Sequence, residues 1–141
     1  MFNQTFYPTP LEVINTMLEG IELQGKTILE PSAGSGNIVD ELKKRGSNVI
    51  ACEKDLRLLK IVQSKCNVIA EDFLKVQSED VVHIDGIIMN PPFINGAEHL
   101  LHAFSILPKG GFIVCLLNAE TLRNSYSLSR KELRSIIEES V

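Results

Sequence analysis

The sequence predicts an α/β domain, a mainly parallel sheet with helices on both faces, and two observations carry that reading. Apolar runs alternate with amphipathic stretches from residue 26 onward, with no repeat and no low-complexity segment. Strands and helices alternating at this spacing are the pattern of βαβ units, whose crossovers are right-handed. The 141 residues suit one domain, and 44% hydrophobic with 23% charged residues is the composition of a globular chain.

The elements follow in order. In "TPLE", Thr9 suits a helix N-cap, Pro10 the first helical position and Glu12 the third residue of a capping box. That helix is expected to run to about Gly20, with Leu11, Ile14, Leu18 and Ile21 along one face. "KTILE" (26–30) reads as the first strand, then the Gly-rich "PSAGSG", then a helix "NIVDELKKRG" ending at Gly46. "NVIACE" (48–53) is the second strand and "KDLRLLKIVQSK" the next helix. "NVIAEDF" (67–73) gives a third strand and "IDGIIMN" (84–90) a fourth. A helix "NGAEHLLHAFSIL" (95–107) and a fifth strand "GGFIVCLLN" (110–118) follow, and "SRKE" (129–132) opens a last helix. One domain is expected over 1–141, with an N-terminal motif and helix at 1–22, a core at 23–118 and a loop and helix at 119–141.

Composition narrows the function. The net charge is −4 and the longest basic run, Lys43-Lys44-Arg45, falls at a helix end, where cations offset the helix dipole. Three cysteines, Cys52, Cys66 and Cys115, lie far apart in or beside apolar segments, the pattern of reduced, packed thiols in an intracellular protein. The opening "MFNQTFYPTP" has neither the basic start nor the apolar stretch of a signal peptide, so a cytoplasmic location is expected.

Chemistry-bearing residues gather where strands end. Gly34 and Gly36 lie between the first strand and its helix, where a glycine permits a sharp turn and close approach of a ligand. A dinucleotide fingerprint wants a third glycine where Val39 stands, and no Gly-Lys-Ser/Thr of a P-loop follows. Glu53 ends the second strand, placed to accept from both hydroxyls of a ribose. Asp72-Phe73 ends the third, an acceptor and a flat ring for an adenine. Each acid taken singly also reads as a solvated turn former, but the three strand ends together point to a nucleoside ligand.

The fourth strand ends in "NPPF" (90–93). Two prolines stop the ladder and hold Asn90 and Pro91 extended, leaving carbonyls that no local helix captures. The Asn90 amide oxygen and the Pro91 carbonyl are thereby left as two neighbouring acceptors. Other signals are set aside. "EHLLH" (98–102) reverses the order of a zinc-protease helix, so His99 and His102 read as helix-surface residues, and no metal is expected. Ser32 and Ser35 lack a nucleophile elbow, and Asp85 reads as a strand-edge residue.

"EPSAGSGN", "CE", "EDF" and "NPPF", with "FYPTP" (6–10) ahead of the first strand, together resemble the motifs of Rossmann-like S-adenosylmethionine-dependent methyltransferases of the amino-methyltransferase group. The similarity is to adenine-DNA methylases, and to short ones from phages and mobile elements. It covers residues 6 to about 118. The resemblance implies a three-layer α/β/α core of strand order 3-2-1-4-5, with the family's terminal β-hairpin and target-recognition domain missing after residue 118. It implies S-adenosylmethionine as cofactor, held by Phe6, Tyr7, Thr9, Glu30, Pro31, Ser32, Ala33, Gly34, Gly36, Asn37, Glu53, Lys54, Asp72, Phe73 and Asn90. Asn90, Pro91, Pro92 and Phe93 become the catalytic loop, Phe93 stacking on the substrate ring. An exocyclic amine is a poor nucleophile because its lone pair is delocalised into the ring, and in this loop the Asn90 amide oxygen and Pro91 carbonyl would accept its N–H groups and return electron density to the nitrogen. The activity implied is methylation of an exocyclic amine, with N6 of adenine in DNA as the expected substrate and DNA as partner. RNA-base or protein-glutamine methylation, and a cofactor-binding module without turnover, stand as alternatives.

Overall fold

The computed structural model describes residues 8–92 and 94–116. Five parallel strands, β1 (Thr27–Glu30), β2 (Asn48–Cys52), β3 (Asn67–Ala70), β4 (Gly86–Met89) and β5 (Phe112–Cys115), form one sheet of order β3-β2-β1-β4-β5. The order reverses between β2-β1 and β1-β4, so the carboxyl ends of β1 and β4 flank the crevice where ligands of such sheets bind. The fold class is as the sequence predicts, a Rossmann-like α/β sheet with helices on both faces. The segments expected as the end of the fifth strand (117–118) and as the last helix (129–141) lie outside the described residues.

Side-chain alternation along the strands sorts the core into two layers. Ile28 and Ile88 pack beneath α1 (Leu11–Leu18) and α2 (Asn37–Lys44), with Ile14, Leu18, Ile38 and Leu42. On the other face Leu29, Ile87 and Met89 meet α4 (Gly96–Ile106) through Leu100, Ala103 and Ile106. Val62 of α3 (Leu56–Gln63) closes the first layer against Val39 and Ala51. Ile14 and Leu18 are each 1% exposed; burying such a side chain contributes about 1.5–3 kcal/mol.

The lower ends of the strands are pinned by Asp85. Its carboxylate accepts from the Thr27 N–H (2.8 Å), and its carbonyl accepts from the Phe112 N–H (3.2 Å), tying β1, β4 and β5 at the end opposite the crevice. Gly86 follows, and a Cβ there would lie 2.5 Å from the Phe112 ring, so the close approach requires glycine.

Three local expectations are corrected. Helix α1 starts at Leu11 behind Pro10 and has no side-chain cap; Thr9 is not its N-cap, because its hydroxyl is engaged elsewhere. Leu11 is 57% exposed and does not join the Ile14 and Leu18 face. Two short 3-10 turns, Phe73–Lys75 and Ser78–Val81, link β3 to β4 where the sequence suggested no element. Among the described residues no helix is long and apolar enough to cross a membrane.

Candidate active site at the strand ends

The loop after β1 is built on two left-handed glycines, Gly34 (φ 60°) and Gly36 (φ 93°). The Gly34 N–H donates to Glu53 Oε1 at 2.6 Å, and the Ala33 N–H to the Cys52 carbonyl at 3.1 Å, so the loop is stitched to the end of β2. Gly36 also meets a neighbour across the fold. It leads into α2, and a Cβ there would lie 2.9 Å from Cδ of Lys65. Lys65 reaches from the turn before β3 to the Ser35 carbonyl (3.0 Å) and Asp40 (2.7 Å), strapping the loop from outside. Nothing in the local sequence ties Lys65 to the loop 30 positions earlier, and sequence reasoning missed it.

Glu30 closes β1 with 0% exposure. Its Oε2 accepts from the Ser32 N–H at 2.6 Å, while Oε1 has no partner among the described residues; the Asn90 N–H lies close enough to ease its charge without completing a bond. Burial, reinforced by the nearby Glu53 carboxylate, pushes the Glu30 carboxyl up to about 8. Glu53 is 8% exposed, with Oε2 accepting from the Asp55 N–H at 2.7 Å. Burial raises its pKa, and the Asp55 and Gly34 N–H groups oppose the rise. Burial also pushes the Cys52 and Cys115 thiols up to about 12, leaving neither as a nucleophile at neutral pH.

At the end of β4, Asn90 is half-buried and its Nδ2 donates to Thr9 Oγ1 at 2.9 Å. The Thr9 carbonyl in turn accepts from Asn37 Nδ2 at 3.1 Å, so one residue joins the starts of α1 and α2 to the end of β4. Among the described residues no hydrogen bond engages Asn90 Oδ1. Pro91 and Pro92 are half-buried beyond it, and Pro31 and Ala33 are buried beside Glu30. Phe6, Tyr7 and Phe93 lie outside the described residues.

The remaining strand-end residues divide. Asp72 stands at the end of β3, one carboxylate oxygen accepting from the Leu74 N–H at 3.0 Å. Phe73, expected as a flat ring for an adenine, is 2% exposed and packs against His99 (centroids 5.6 Å apart) and edge-on to His102 (4.9 Å). The two histidines are therefore not surface residues. His102 Nε2 bonds to the Val76 carbonyl (2.9 Å), and burial lowers the His99 pKa to about 4. Lys54 is exposed beside Glu53.

This geometry fits a nucleoside cofactor with a cationic tail. Glu30 Oε1 and Ser32 Oγ are buried polar atoms without partners at the end of β1, and such atoms call for a polar ligand. Each Glu53 oxygen, already oriented by one N–H, keeps a lone pair.

Comparison with known proteins agrees. A family model described as ribosomal RNA adenine dimethylase matches residues 2–100. A Drosophila melanogaster protein named as a dimethyladenosine transferase is 35% identical over 102 residues, covering 65% of this chain and 32% of that protein. A Thermococcus onnurineus protein named as ribosomal RNA small subunit methyltransferase A is 35% identical over 88 residues, covering 58% of this chain and 31% of its own length. The chain thus spans about a third of the length of these curated relatives. Among solved structures, a dimethyladenosine transferase from Plasmodium falciparum superposes with a TM-score of 0.63 at 16% identity, covering 85% of this chain and 47% of that one. An S-adenosylmethionine-dependent methyltransferase from Mesorhizobium loti gives 0.62 at 15%, covering 79% and 53%. These two share the fold.

The expectations of an adenine-DNA methylase and of DNA as partner are overturned, because the matching family and these curated relatives are named for ribosomal RNA or dimethyladenosine. "NPPF" could not separate the two, since the motif addresses the amine rather than the polymer that carries it. With its sheet order, its strand-end acids and a family match over residues 2–100, the chain belongs to the ribosomal RNA adenine dimethylase family, Rossmann-like methyltransferases whose cofactor is S-adenosylmethionine.

Proposed function

We propose that this chain transfers methyl groups from S-adenosylmethionine to the N6 amine of adenine in ribosomal RNA. The observation that carries the reading is the meeting of Glu30 and Asn90 at the switch point of the sheet. A buried carboxyl with an unpartnered oxygen lies beside an amide whose oxygen no described residue engages. The family match names the substrate class.

S-adenosylmethionine supplies a methyl group on a sulfonium sulfur, which departs as a neutral thioether. The chain's own residues hold and aim. Glu53 uses its remaining lone pairs for ribose hydroxyls, and Asp72 accepts from the adenine edge, with Pro31, Ser32, Ala33, Gly34, Gly36, Asn37 and Lys54 lining the loop ends around them. Glu30 faces the cationic methionine end; Phe6, Tyr7 and Thr9 stand N-terminal to it. Asn90 Oδ1 and the Pro91 carbonyl accept the two N–H groups of the substrate amine, and Phe93 stacks on its ring. Pro92 keeps Pro91 extended. With the cofactor bound, these acceptors would aim the amine nitrogen at the methyl group the sulfonium supplies, and the proton the amine loses would pass to water. No general base is needed.

The test is labelled-methyl transfer to small-subunit ribosomal RNA, preceded by a calorimetric titration of S-adenosylmethionine. Binding with transfer, the transfer abolished in Asn90→Ala, supports the reading. Transfer to protein glutamine overturns the substrate, and binding without transfer to RNA or protein leaves a cofactor-binding module instead.

A further inference from the structure

Thr9 sits where a helix cap is expected and does not cap. Helix α1 begins after Pro10 with no side-chain cap, and the Thr9 hydroxyl reaches Asn90 Nδ2, 81 positions away, at 2.9 Å. Thr9 is 8% exposed, so water does not compete freely for that bond. Its main chain is held as well, since Asn37 Nδ2 donates to its carbonyl at 3.1 Å from the first turn of α2. The hydroxyl thus has a fixed position relative to the sheet.

An asparagine amide has two flips, which exchange a donor end for an acceptor end. To accept an N–H from a substrate amine, Asn90 must turn Oδ1 toward it, and Nδ2 then faces the other way and needs an acceptor. Thr9 Oγ1 can accept it, and because a hydroxyl can also donate, the contact fixes the place and plane of the amide while the substrate amine selects the flip. In the opposite flip an NH2 group would meet the NH2 of the substrate, donor against donor, and the amine would lose both its hold and its activation. Resting on the function proposed above, we propose that Thr9 is a positioning residue for methyl transfer: its hydroxyl anchors the Asn90 amide in the place and plane from which Oδ1 meets the substrate amine. This differs from the assignment implied by the resemblance, in which Thr9 covers the cofactor. A cofactor contact acts on cofactor affinity; a positioning contact acts on turnover.

The experiment compares the full chain with Thr9→Val, which keeps shape and removes the acceptor, and Thr9→Ser, which restores it. Cofactor affinity is read by calorimetry and turnover by methyl transfer to RNA. The order parameter of the Asn90 side-chain NH2 is read by nuclear magnetic resonance, its signal assigned by its loss in Asn90→Asp. Thr9→Val is expected to lower kcat about 10- to 100-fold with cofactor Kd within about twofold, and to loosen the Asn90 NH2. Thr9→Ser is expected to recover both. Should Thr9→Val fail to fold, Asn37→Ala, which frees the Thr9 carbonyl and leaves the hydroxyl in place, is expected to shift kcat and the NH2 order in the same direction by less. Weaker cofactor binding at unchanged kcat overturns the proposal, and so does an Asn90 NH2 as ordered in Thr9→Val as in the unaltered chain. If the unaltered chain methylates no RNA, the functional reading fails by itself, and the NH2 order alone decides whether Thr9 holds Asn90.

Discussion

Glu30→Gln is expected to remove a fall in stability that the unaltered chain shows between about pH 4.5 and pH 8. The Glu30 carboxyl is 0% exposed and burial pushes its pKa from 4.5 up to about 8. Below pH 4.5 folded and unfolded chains both carry the proton. Between 4.5 and 8 the unfolded chain releases it and the folded chain keeps it, so stability falls as pH rises across that window. At 1.36 kcal/mol per pH unit the loss reaches at most about 5 kcal/mol above pH 8, a large share of what a domain of this size possesses. Glutamine cannot ionise. Its carbonyl can accept the Ser32 N–H that now binds Oε2, and its NH2 occupies the place of the unpartnered Oε1. The assay is urea unfolding of both proteins at pH 5, 6, 7, 8 and 9. Buried His99, lowered to about 4, makes stability fall as pH drops from 6.5 toward 4, but it contributes equally to both proteins and cancels in their difference. The expected difference is small at pH 5 and grows in favour of Glu30→Gln through pH 8. Parallel profiles for the two proteins would refute the reasoning.

Other expectations follow from the same coordinates. Phe73→Ala removes a 2%-exposed ring from between the sheet and α4 and is expected to cost about 3–5 kcal/mol in a denaturation midpoint; lower cofactor affinity at unchanged stability would return the ring to the cofactor site. Gly86→Ala places a Cβ 2.5 Å from the Phe112 ring and is expected to cost about 1–3 kcal/mol by urea unfolding, whereas unchanged stability would mean that Phe112 moves freely. With the cationic tail of S-adenosylmethionine at Glu30, as proposed, binding at pH 7 is expected to release up to one proton from a carboxyl whose pKa is about 8. Calorimetry in phosphate and in Tris then gives different enthalpies; equal enthalpies would place the cation away from Glu30.

Local pattern carried the sheet and its layers. The five apolar runs became five strands because a buried parallel strand reads as a continuous apolar stretch, as in "GIIM" at 86–89, all four residues buried. What stayed illegible depends on contacts between distant residues. Thr9 has every local mark of an N-cap, yet its hydroxyl serves a residue 81 positions on. "DF" after β3 offers a ring, but only the packing of α4 shows that the ring is buried against His99 and His102. The Glu30 pKa comes from burial and from Glu53, neither of which is visible in "ILEPS". The substrate was illegible for a chemical reason: acceptors that fit an adenine amine fit it in any nucleic acid, and the family match is what turns the proposal from the expected DNA to ribosomal RNA.

The most direct test of the central claim is nucleoside mass spectrometry of small-subunit ribosomal RNA incubated with this chain and S-adenosylmethionine. The account expects adenosine carrying one or two added methyl groups at N6, and none with Asn90→Ala. Methyl groups found only on other nucleosides, or N6-methylated adenosine made equally well by Asn90→Ala, would contradict it.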